Sequence, residues 1–419
     1  MKVKKFKLLE ICILICILIN TYFTYFIGIA LTSPFRITNI FILGMIAVLN
    51  LAVVQNSEYK KIIDKVTPFF IVFIFCLVIE IIYSVIRYSQ TFMEVLVCWQ
   101  PYMYLFLVFP LIYVFLKDKR EKFIKIIAII VAIGILLRLV QAVAYNSNST
   151  VIFPTLMEYG VVGIRNNKIR LSVTNLGYVS TIVIFYQIIC KKKAKIGYFL
   201  LLISNLVAYV YMSQSRVMLA IIFVTLIIMY LTKEKPSKRQ LWVATLLIIA
   251  CIALVCTDYM SDFLNSFSTE SEFGGNSTLT RVLAIEHYWN SPYRSSIFGM
   301  GFINDGDYLR YLILHRTNTS MQAYYSDIGL LGLYFNLGIF GIALYVYFLV
   351  RLIKSVKLAV KYDKGFEKVL IVGFLIYYLL SSISLLILGA SSIFSVPFIW
   401  AYIEVYIHKI NKYRIDLRK

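Results

Sequence analysis

Long apolar runs separated by short polar connections recur along the whole chain. Twelve such runs, each of about 17 to 25 residues, lie near 8–31, 38–55, 67–86, 92–116, 123–145, 171–190, 196–213, 217–232, 241–258, 328–350, 369–388 and 392–407. Inside a bilayer each run must satisfy its own backbone hydrogen bonds, which favours helices. The pattern therefore predicts an all-α polytopic membrane protein with about 12 transmembrane helices.

The connections predict the orientation of these helices. Lysine and arginine cluster after every second run, and such clusters stay on the cytoplasmic side, so both termini are predicted to be cytoplasmic. The first run is too long for a cleaved signal peptide and lacks a small-residue cleavage site, so it counts as a span. Two long connections, Asn146 to Arg170 and Tyr259 to Asp327, fall on the outer side, where chemistry is expected.

These assignments divide the chain into three regions. Residues 1–258 form spans 1 to 9, residues 259–327 form one large outer loop between helices 9 and 10, and residues 328–419 form the last three spans and a cytoplasmic tail. Inside the large loop, a helix is predicted from a cap at Ser277 to a stop at Pro292.

Composition excludes several other classes of protein. The chain is 60% hydrophobic and only 15% charged, so it cannot cover a soluble domain of this size with polar surface. Its net charge of +21 lies between apolar runs, which argues against binding to nucleic acid. The seven cysteines lie in or at the ends of spans, and no CxxC or HExxH spacing occurs, so neither a disulfide framework, a metal nor a cofactor is predicted.

The choice of cation differs between the two predicted sides. Cytoplasmic connections use mainly lysine, whereas ten of the eleven cations on the outer side are arginine. Guanidinium groups grip phosphate and carboxylate with two parallel hydrogen bonds, so an anionic ligand is predicted there, although any single arginine could instead pair with an outer acid. The set is Arg36, Arg87, Arg138, Arg165, Arg170, Arg216, Arg281, Arg294, Arg310 and Arg316, with Lys168.

Two charges fall inside spans at similar predicted depth. Glu80 lies about two turns before the outer end of the third span, and Arg138 holds the same position in the fifth. An unpaired charge at that depth is costly, so the two are predicted to pair. Whether the pair serves the fold or substrate binding stays open.

Short polar motifs carry a resemblance to a known family. They are Ser213-Gln214-Ser215-Arg216 at a tight outer turn, Thr280-Arg281, the G-x-G of Phe298 to Phe302, and Asp327-Ile328-Gly329-Leu330-Leu331-Gly332 entering a helix. In order, spacing and sidedness they resemble the O-antigen polymerase and ligase superfamily. The resemblance covers roughly the second half of the chain, while the first half matches only as a run of helices.

The resemblance implies metal-independent glycosyl transfer at the outer face of the bacterial cytoplasmic (inner) membrane. The implied donor is a glycan joined to a polyprenol through a diphosphate, with Arg216 and Arg281 on the diphosphate and His315 on the acceptor side. Fixed cations there would stabilise the charge that develops on the leaving diphosphate. Arg165, Arg170, Arg294 and Arg316 are secondary candidates for anion contacts. The implied partners are membrane lipids, a chain-length regulator and a flippase.

One departure favours a Wzy-type polymerase over a ligase. Ligases of the superfamily place a histidine where this chain has Asn318, and His315 lies one turn earlier. Ligase activity and a lipid-linked oligosaccharide flippase remain alternatives. The candidate bases that compete with His315 are Glu286, Asp305, Asp307 and Asp327, and Asp327 is also placed to cap the tenth helix. Gly329, Gly332, Gly338 and Gly341 are predicted to allow close helix packing.

Overall fold

The computed structural model is mostly helical. It describes residues 2–31, 34–52, 56–165, 168–190, 196–213, 216–233, 277–316, 322–362, 367–384, 388–389 and 392–416.

The first part of the chain contains six helices: α1 (Lys2–Asn20), α2 (Pro34–Ala52), α3 (Ser57–Tyr88), α4 (Phe92–Trp99), α5 (Val108–Val114) and α6 (Arg120–Asn148). The first predicted span is shorter than expected because α1 ends at Asn20, whose side chain bonds Cys16 O and Thr38 Oγ1, both at 2.9 Å. The fourth predicted span changes its winding: a 3-10 segment (Gln100–Leu107) separates α4 from α5, and Pro101, which lacks an N–H, starts it.

A short β-hairpin follows α6 and the single turn α7 (Pro154–Tyr159). Strands β1 (Val161–Arg165) and β2 (Lys168–Leu171) pair antiparallel, with Ile164 opposite Ile169. The sequence predicts only a connection here. The fold is thus helical with one small hairpin at the end of α6.

The remaining helices are α8 (Asn175–Cys190), α9 (Ile196–Ala208), α10 (Arg216–Thr232), α11 (Ser277–Asn290), α12 (Tyr308–His315), α13 (Gly329–Tyr362), α14 (Glu367–Ser384) and α15 (Val396–Asp416). A π-helical turn, Tyr209–Ser213, ends α9, and a 3-10 turn, Tyr325–Asp327, precedes α13. The helix predicted between Ser277 and Pro292 is confirmed as α11.

Five helical segments are long and apolar enough to cross a membrane: Ser57–Tyr88, Phe92–Lys117, Arg120–Asn148, Gly329–Tyr362 and Ile393–Tyr413. Five shorter apolar helices accompany them among the described residues: Leu8–Asn20, Pro34–Asn50, Asn175–Cys190, Ile196–Met212 and Val217–Thr232. The predicted span 241–258 lies outside the described residues, and the total of twelve stays a prediction. The architecture is that of a multi-pass membrane protein.

The core centres on α15. Trp400 is 1% exposed and packs against Phe69 and Phe70 of α3, with ring centroids 4.9 and 5.4 Å apart, and against Tyr347 of α13 at 5.9 Å. A helix this buried on all sides is central to a bundle.

The two ends of the bundle differ in character. We call the loop end the one that carries α11, α12 and the hairpin, together with the last turns of α3 and α6. At the opposite end, ion pairs tie helices that are distant in sequence: Arg120 with Glu367, Arg351 with Glu404, and Lys412 with Glu58. The described lysines of the predicted cytoplasmic connections lie at this opposite end.

Candidate functional site

A break in α13 receives the G-x-G segment of the large loop. Gly338 has φ +55° inside the helix, so the helical hydrogen-bond ladder stops there. The freed carbonyls of Phe335 and Asn336 accept bonds from Met300 N (2.6 Å) and Gly301 N (2.8 Å). A broken membrane helix needs such replacement partners, and the loop backbone supplies them.

The same glycines permit the close approach. A Cβ on Gly338 would lie 2.0 Å from Ile297 O, and one on Gly299 would lie 2.5 Å from Phe335 O. A Cβ on Gly329 or on Gly332 would likewise lie 2.3 or 2.1 Å from a backbone oxygen. The predicted close packing between helices is confirmed for Gly329, which approaches Ser382 O of α14, whereas Gly338 approaches the loop instead.

The end of α3 holds the following loop residues. Tyr88 donates to Met300 O at 2.8 Å, Ser84 Oγ accepts from Phe302 N at 2.8 Å, and Gln90 bonds both Phe302 O (2.9 Å) and Asn304 N (2.6 Å). These bonds fix the segment that leads to Asp305.

His315 ends α12 and has a hydrogen-bond acceptor at each ring nitrogen. Its Nδ1 lies 2.9 Å from Ala323 O, and its Nε2 lies 3.2 Å from Asp305 Oδ2. The rings of Tyr311 and Tyr324 flank it, with centroids 5.0 Å away on each side. The imidazole is 12% exposed and the Asp305 side chain is 59% exposed, so the carboxylate is the accessible member of the pair. Of the predicted bases, the structure brings Asp305 to His315.

Arg281 reaches the same stretch of chain from α11. Its Nε donates to Asp327 O at 3.1 Å. Among the described residues, its two terminal nitrogens have no other partner, so they remain available to a ligand. His315 bonds the carbonyl of Ala323 and Arg281 bonds that of Asp327, so both side chains are attached to one segment, Ala323–Asp327. The four residue-to-residue steps from Ala323 to Asp327 span at most about 14 Å.

Asp327 does not cap the tenth predicted span through its side chain. Its Oδ1 accepts from Ser326 Oγ at 3.1 Å, and α13 begins two residues later at Gly329. Asp327 ends the turn Tyr325–Asp327, and its backbone carbonyl accepts the hydrogen bond from Arg281. The sequence does not predict this contact.

Other loop-end arginines are already engaged by the protein. Arg294 lies over Trp289 at 4.8 Å and donates to Trp289 O at 3.2 Å and to Tyr334 OH at 3.3 Å. Arg310 binds Glu94 at 2.5 Å, and this hydrogen bond raises the pKa of Arg310. The geometry of Arg294 is that of a packing residue, which does not favour its predicted contact with an anion.

The remaining predicted anion contacts are less completely placed. The side chain of Arg316 is exposed and has no partner among the described side chains. Arg170 is half-buried on β2. The side chains of Arg165 and Arg216 lie outside the described residues. The π-helical turn just before α10 contacts β2, which puts the backbone of Arg216 at the loop end.

The predicted pair of Glu80 and Arg138 is wrong. The Arg138 guanidinium donates to Ser172 O at 2.9 Å and to Thr21 O, which are backbone carbonyls beside β2 and α1. Both Glu80 carboxylate oxygens are buried without a hydrogen-bond partner among the described residues. Similar depth in two helices does not make them neighbours, and these two side chains face different parts of the bundle.

Aromatic packing beneath the site rigidifies it. Tyr288 stacks on Tyr325 with centroids 4.3 Å apart and donates to Leu314 O at 2.9 Å, beside His315. Burial raises the pKa of both tyrosines, so their hydroxyls stay protonated. Burial likewise lowers the pKa of His287, whose Nε2 contacts Ile313 O at 3.0 Å, so its neutral form is favoured. His287 therefore serves packing.

Sequence reasoning missed the Ala323–Asp327 segment and Tyr324. A signal is present in the sequence, because the paired tyrosines Tyr324 and Tyr325 precede the acid-x-G-L-L-G motif by one residue, Ser326. Their meaning depended on knowing that the segment folds back to the end of α12, through Ala323 N to His315 O at 2.8 Å.

Comparison with known proteins relates part of the chain to a family. A family profile described as O-antigen ligase matches residues 176–346, from α8 to the first half of α13. The match includes the positions of Arg216, Arg281 and His315. No curated protein matches the chain. The matched region includes the sequence of the tight turn, the large loop and the broken helix, and the match supports the O-antigen polymerase and ligase superfamily.

Proposed function

We propose that the protein is a polymerase that joins polyprenyl-diphosphate-linked oligosaccharide repeat units into O-antigen or capsular polysaccharide. In this proposal the loop end faces the outer side of the bacterial cytoplasmic membrane. Support comes from the family and from the arginines at the loop end, since a diphosphate leaving group needs fixed cations.

One observation carries the proposal: a cation and an acid–base pair are attached to the same five-residue segment. Arg281 bonds one end of Ala323–Asp327 and His315 bonds the other. A glycosyl transfer requires positive charge at the leaving diphosphate and a base at the attacking hydroxyl, held at a fixed separation. The segment provides that separation.

The proposed reaction is a displacement at the anomeric carbon of the donor sugar. A hydroxyl of the acceptor glycan forms the new C–O bond, while the bond from the anomeric carbon to the diphosphate oxygen breaks. The Asp305–His315 pair takes the hydroxyl proton, and the polyprenyl diphosphate leaves with its electron pair against Arg281 and Arg216. Arg316, Arg170 and Arg165 are secondary contacts for the anionic donor.

The alternative of a ligase rests on the description of the matching family. Against it stands the departure at Asn318, a position that lies outside the described residues. A polymerase uses a second lipid-linked glycan as acceptor, whereas a ligase uses a different acceptor, and the two are separated by their products.

The test is reconstitution of the full-length protein in vesicles with polyprenyl-diphosphate-linked repeat units. A ladder of products differing by one repeat unit is expected. Transfer to an added lipid A core without a ladder would identify a ligase. Neither product, with movement of the lipid-linked glycan between leaflets, would identify a flippase and overturn the proposal. A flippase should also tolerate shortening of the large loop, whereas the polymerase should lose activity.

A further inference from the structure

An apolar groove runs along one face of the molecule between α2, α3 and α4 with the 3-10 segment after it. Its volume is about 980 Å³. The floor is formed by side chains that are at most 4% exposed, including Leu49, Phe70 and Leu77. Its rim is formed by exposed side chains such as Ile74 and Ile82. The described lining residues carry no charge.

The groove is longer than one leaflet of a membrane. Its lining on α3 extends from Tyr59 to Ile86, which corresponds to about 40 Å of helix. The hydrocarbon core of a bilayer is about 30 Å thick, so a phospholipid acyl chain, which reaches only to the midplane, fills about half of it. A chain that crosses both leaflets, such as a polyprenol, matches the full length.

The loop end of the groove adjoins a second pocket of about 420 Å³, and Leu96 lines both. Most of the surface of this pocket is apolar, but Arg36, Glu94, Gln100 and Asn304 also line it. The charge of Glu94 is balanced by Arg310 at 2.5 Å. The exposed guanidinium of Arg36 has no partner among the described residues and lies in the first turn of α2, where the helix dipole adds positive potential. An apolar groove that ends near the Arg36 guanidinium fits a lipid whose headgroup is anionic.

The pocket lies next to the acceptor side of the proposed site. Asn304 lines it, and the next residue, Asp305, bonds His315. Joining two lipid-linked glycans requires two lipid sites, and Arg281, the proposed donor contact whose side chain the structure describes, does not line the groove or the pocket.

We infer that this groove holds the polyprenyl chain of the lipid-linked acceptor, with the diphosphate of that lipid at Arg36. The inference rests on the proposed function for the identity of the headgroup. It adds a second lipid site and assigns the acceptor lipid to it.

The test uses the full-length protein in nanodiscs and a polyprenyl diphosphate that carries a photoreactive group on its chain and no sugar. Crosslinks are expected on peptides of α2, α3 and α4. Excess unlabelled polyprenyl diphosphate should displace the probe, and phosphatidylglycerol at the same excess should not. Equal displacement by phosphatidylglycerol would identify an ordinary leaflet lipid as the occupant and overturn the inference, as would crosslinks confined to other helices.

Two matched variants locate the chain. Ile82→Trp places a large ring on the rim of the groove, where the side chain is 53% exposed, and should lower labelling at least about tenfold. Ile40→Trp on α2 is the control, because Ile40 is 70% exposed and does not line the groove, so its labelling should equal that of the wild type. Equal labelling of the two variants would contradict the inference. Thermal unfolding of each variant separates loss of the site from loss of the fold.

A third variant locates the headgroup. Arg36→Gln should weaken binding of polyprenyl diphosphate about tenfold, because one charge-assisted contact is lost, and should leave binding of the uncharged polyprenol unchanged. An equal loss for both lipids would exclude Arg36 as the headgroup contact.

These results separate the inference from the proposed function, because the probe carries no sugar. Labelling of the groove without any ladder in the reconstituted assay would remove the polymerase proposal and leave a polyprenyl-diphosphate site. A normal ladder from Ile82→Trp with wild-type labelling would remove the groove proposal and leave the polymerase.

Discussion

The arginines at the loop end divide by what their nitrogens contact. Arg87, Arg294 and Arg310 donate to Pro292 O, Tyr334 OH and Glu94 respectively, and so fasten the loop to the bundle. Arg281 and Arg316 keep guanidinium nitrogens without partners among the described residues. An anionic substrate can bind only where donors remain, so the second group is the better place to test for function.

The first prediction tests whether the paired guanidinium nitrogens of Arg281, which we call its fork, bind the diphosphate. Arg281→Lys keeps the charge and can still donate to Asp327 O, but it loses the paired nitrogens that grip a diphosphate. Polymer formation in the reconstituted assay should fall at least about tenfold, with unchanged thermal stability. Arg216→Lys should behave alike.

Arg87→Lys is the matched control for this prediction. Arg87 is exposed, its Nη2 donates to Pro292 O at 3.0 Å and its guanidinium lies 5.5 Å from the centre of the Tyr293 ring, and a lysine ammonium can make both contacts. It should keep wild-type activity. Full polymer length from Arg281→Lys and Arg216→Lys would contradict the role of the fork.

The second prediction concerns the proton. Asp305→Asn keeps the shape of the side chain but removes the carboxylate that faces His315 Nε2. The turnover rate should fall by about 10² or more while KM changes little, since a positioned base contributes about 10² to 10⁴ in rate. Initial rates over a range of acceptor concentrations give the two constants.

Asp307→Asn serves as the control two residues away. Asp307 caps α12 by accepting from Leu309 N at 2.9 Å, and asparagine caps a helix as well as aspartate does. This variant should remain active. Equal activity of Asp305→Asn and Asp307→Asn would show that the Asp305 carboxylate takes no part in the reaction.

At the residue scale, the sequence predicts candidate side chains but not their partners. Of the candidates, His315 and Arg281 bond the segment Ala323–Asp327, and Asp305 bonds His315. Arg138 was assigned the wrong partner. Its true contacts, Thr21 O and Ser172 O, come from segments far away in the chain, and no local pattern records such contacts.

At the element scale, the break in α13 is the least predictable feature. Hydrophobic periodicity predicts one continuous span over 328–350, and the sequence Gly338-Ile339-Phe340-Gly341 is as compatible with a packed helix as with a broken one. The break exists because loop N–H groups from Met300 and Gly301 replace the lost helical bonds. Its stability therefore depends on two segments at once.

The third prediction tests that dependence through Gly338→Ala. The alanine would need φ near +55°, which costs roughly 1–3 kcal/mol, and its Cβ would lie 2.0 Å from Ile297 O. The midpoint of thermal unfolding should fall, and amide exchange should rise in residues 295–304, which dock on the break.

Gly44→Ala in α2 is the control for this substitution. A Cβ there meets nothing within 4 Å, and alanine is the better helix former by about 1 kcal/mol, so stability should be unchanged or slightly higher. Equal effects of the two substitutions would mean that the break in α13 can close into a regular helix without loss.

The hairpin β1–β2 illustrates a second limit of prediction from elements. Its strands are only five and four residues long, and a bilayer-length search for apolar runs does not detect such short pairs. Ile169 N donates to Asn146 Oδ1 at 2.9 Å, which ties the hairpin to the end of α6. Tertiary anchoring of this kind stabilises a hairpin that would be marginal alone.

At the scale of the whole molecule, the sequence predicts that charge differs between the two sides of the membrane. Cytoplasmic connections are predicted to carry the whole excess of +21, and the outer side is predicted to be neutral. Among the described residues, the ion pairs Arg120–Glu367, Arg351–Glu404 and Lys412–Glu58 lie at one end of the bundle and Arg310–Glu94 lies at the loop end. The composition alone predicts a membrane protein, and the division of its charges adds a polarity, but which end faces the cytoplasm stays a prediction.

The last prediction tests this polarity with single cysteines in a variant whose native cysteines are replaced. Ser296→Cys lies at the loop end and Lys61→Cys at the opposite end, and both positions are exposed. In intact spheroplasts a membrane-impermeant maleimide should label Ser296→Cys alone, because positive charge is retained on the cytoplasmic side. Lys61→Cys should react only after permeabilisation, which also confirms that its thiol is accessible. The reverse pattern would place the Asp305–His315 pair in the cytoplasm, where the lipid-linked repeat units of the proposed reaction would have to meet it before crossing the membrane.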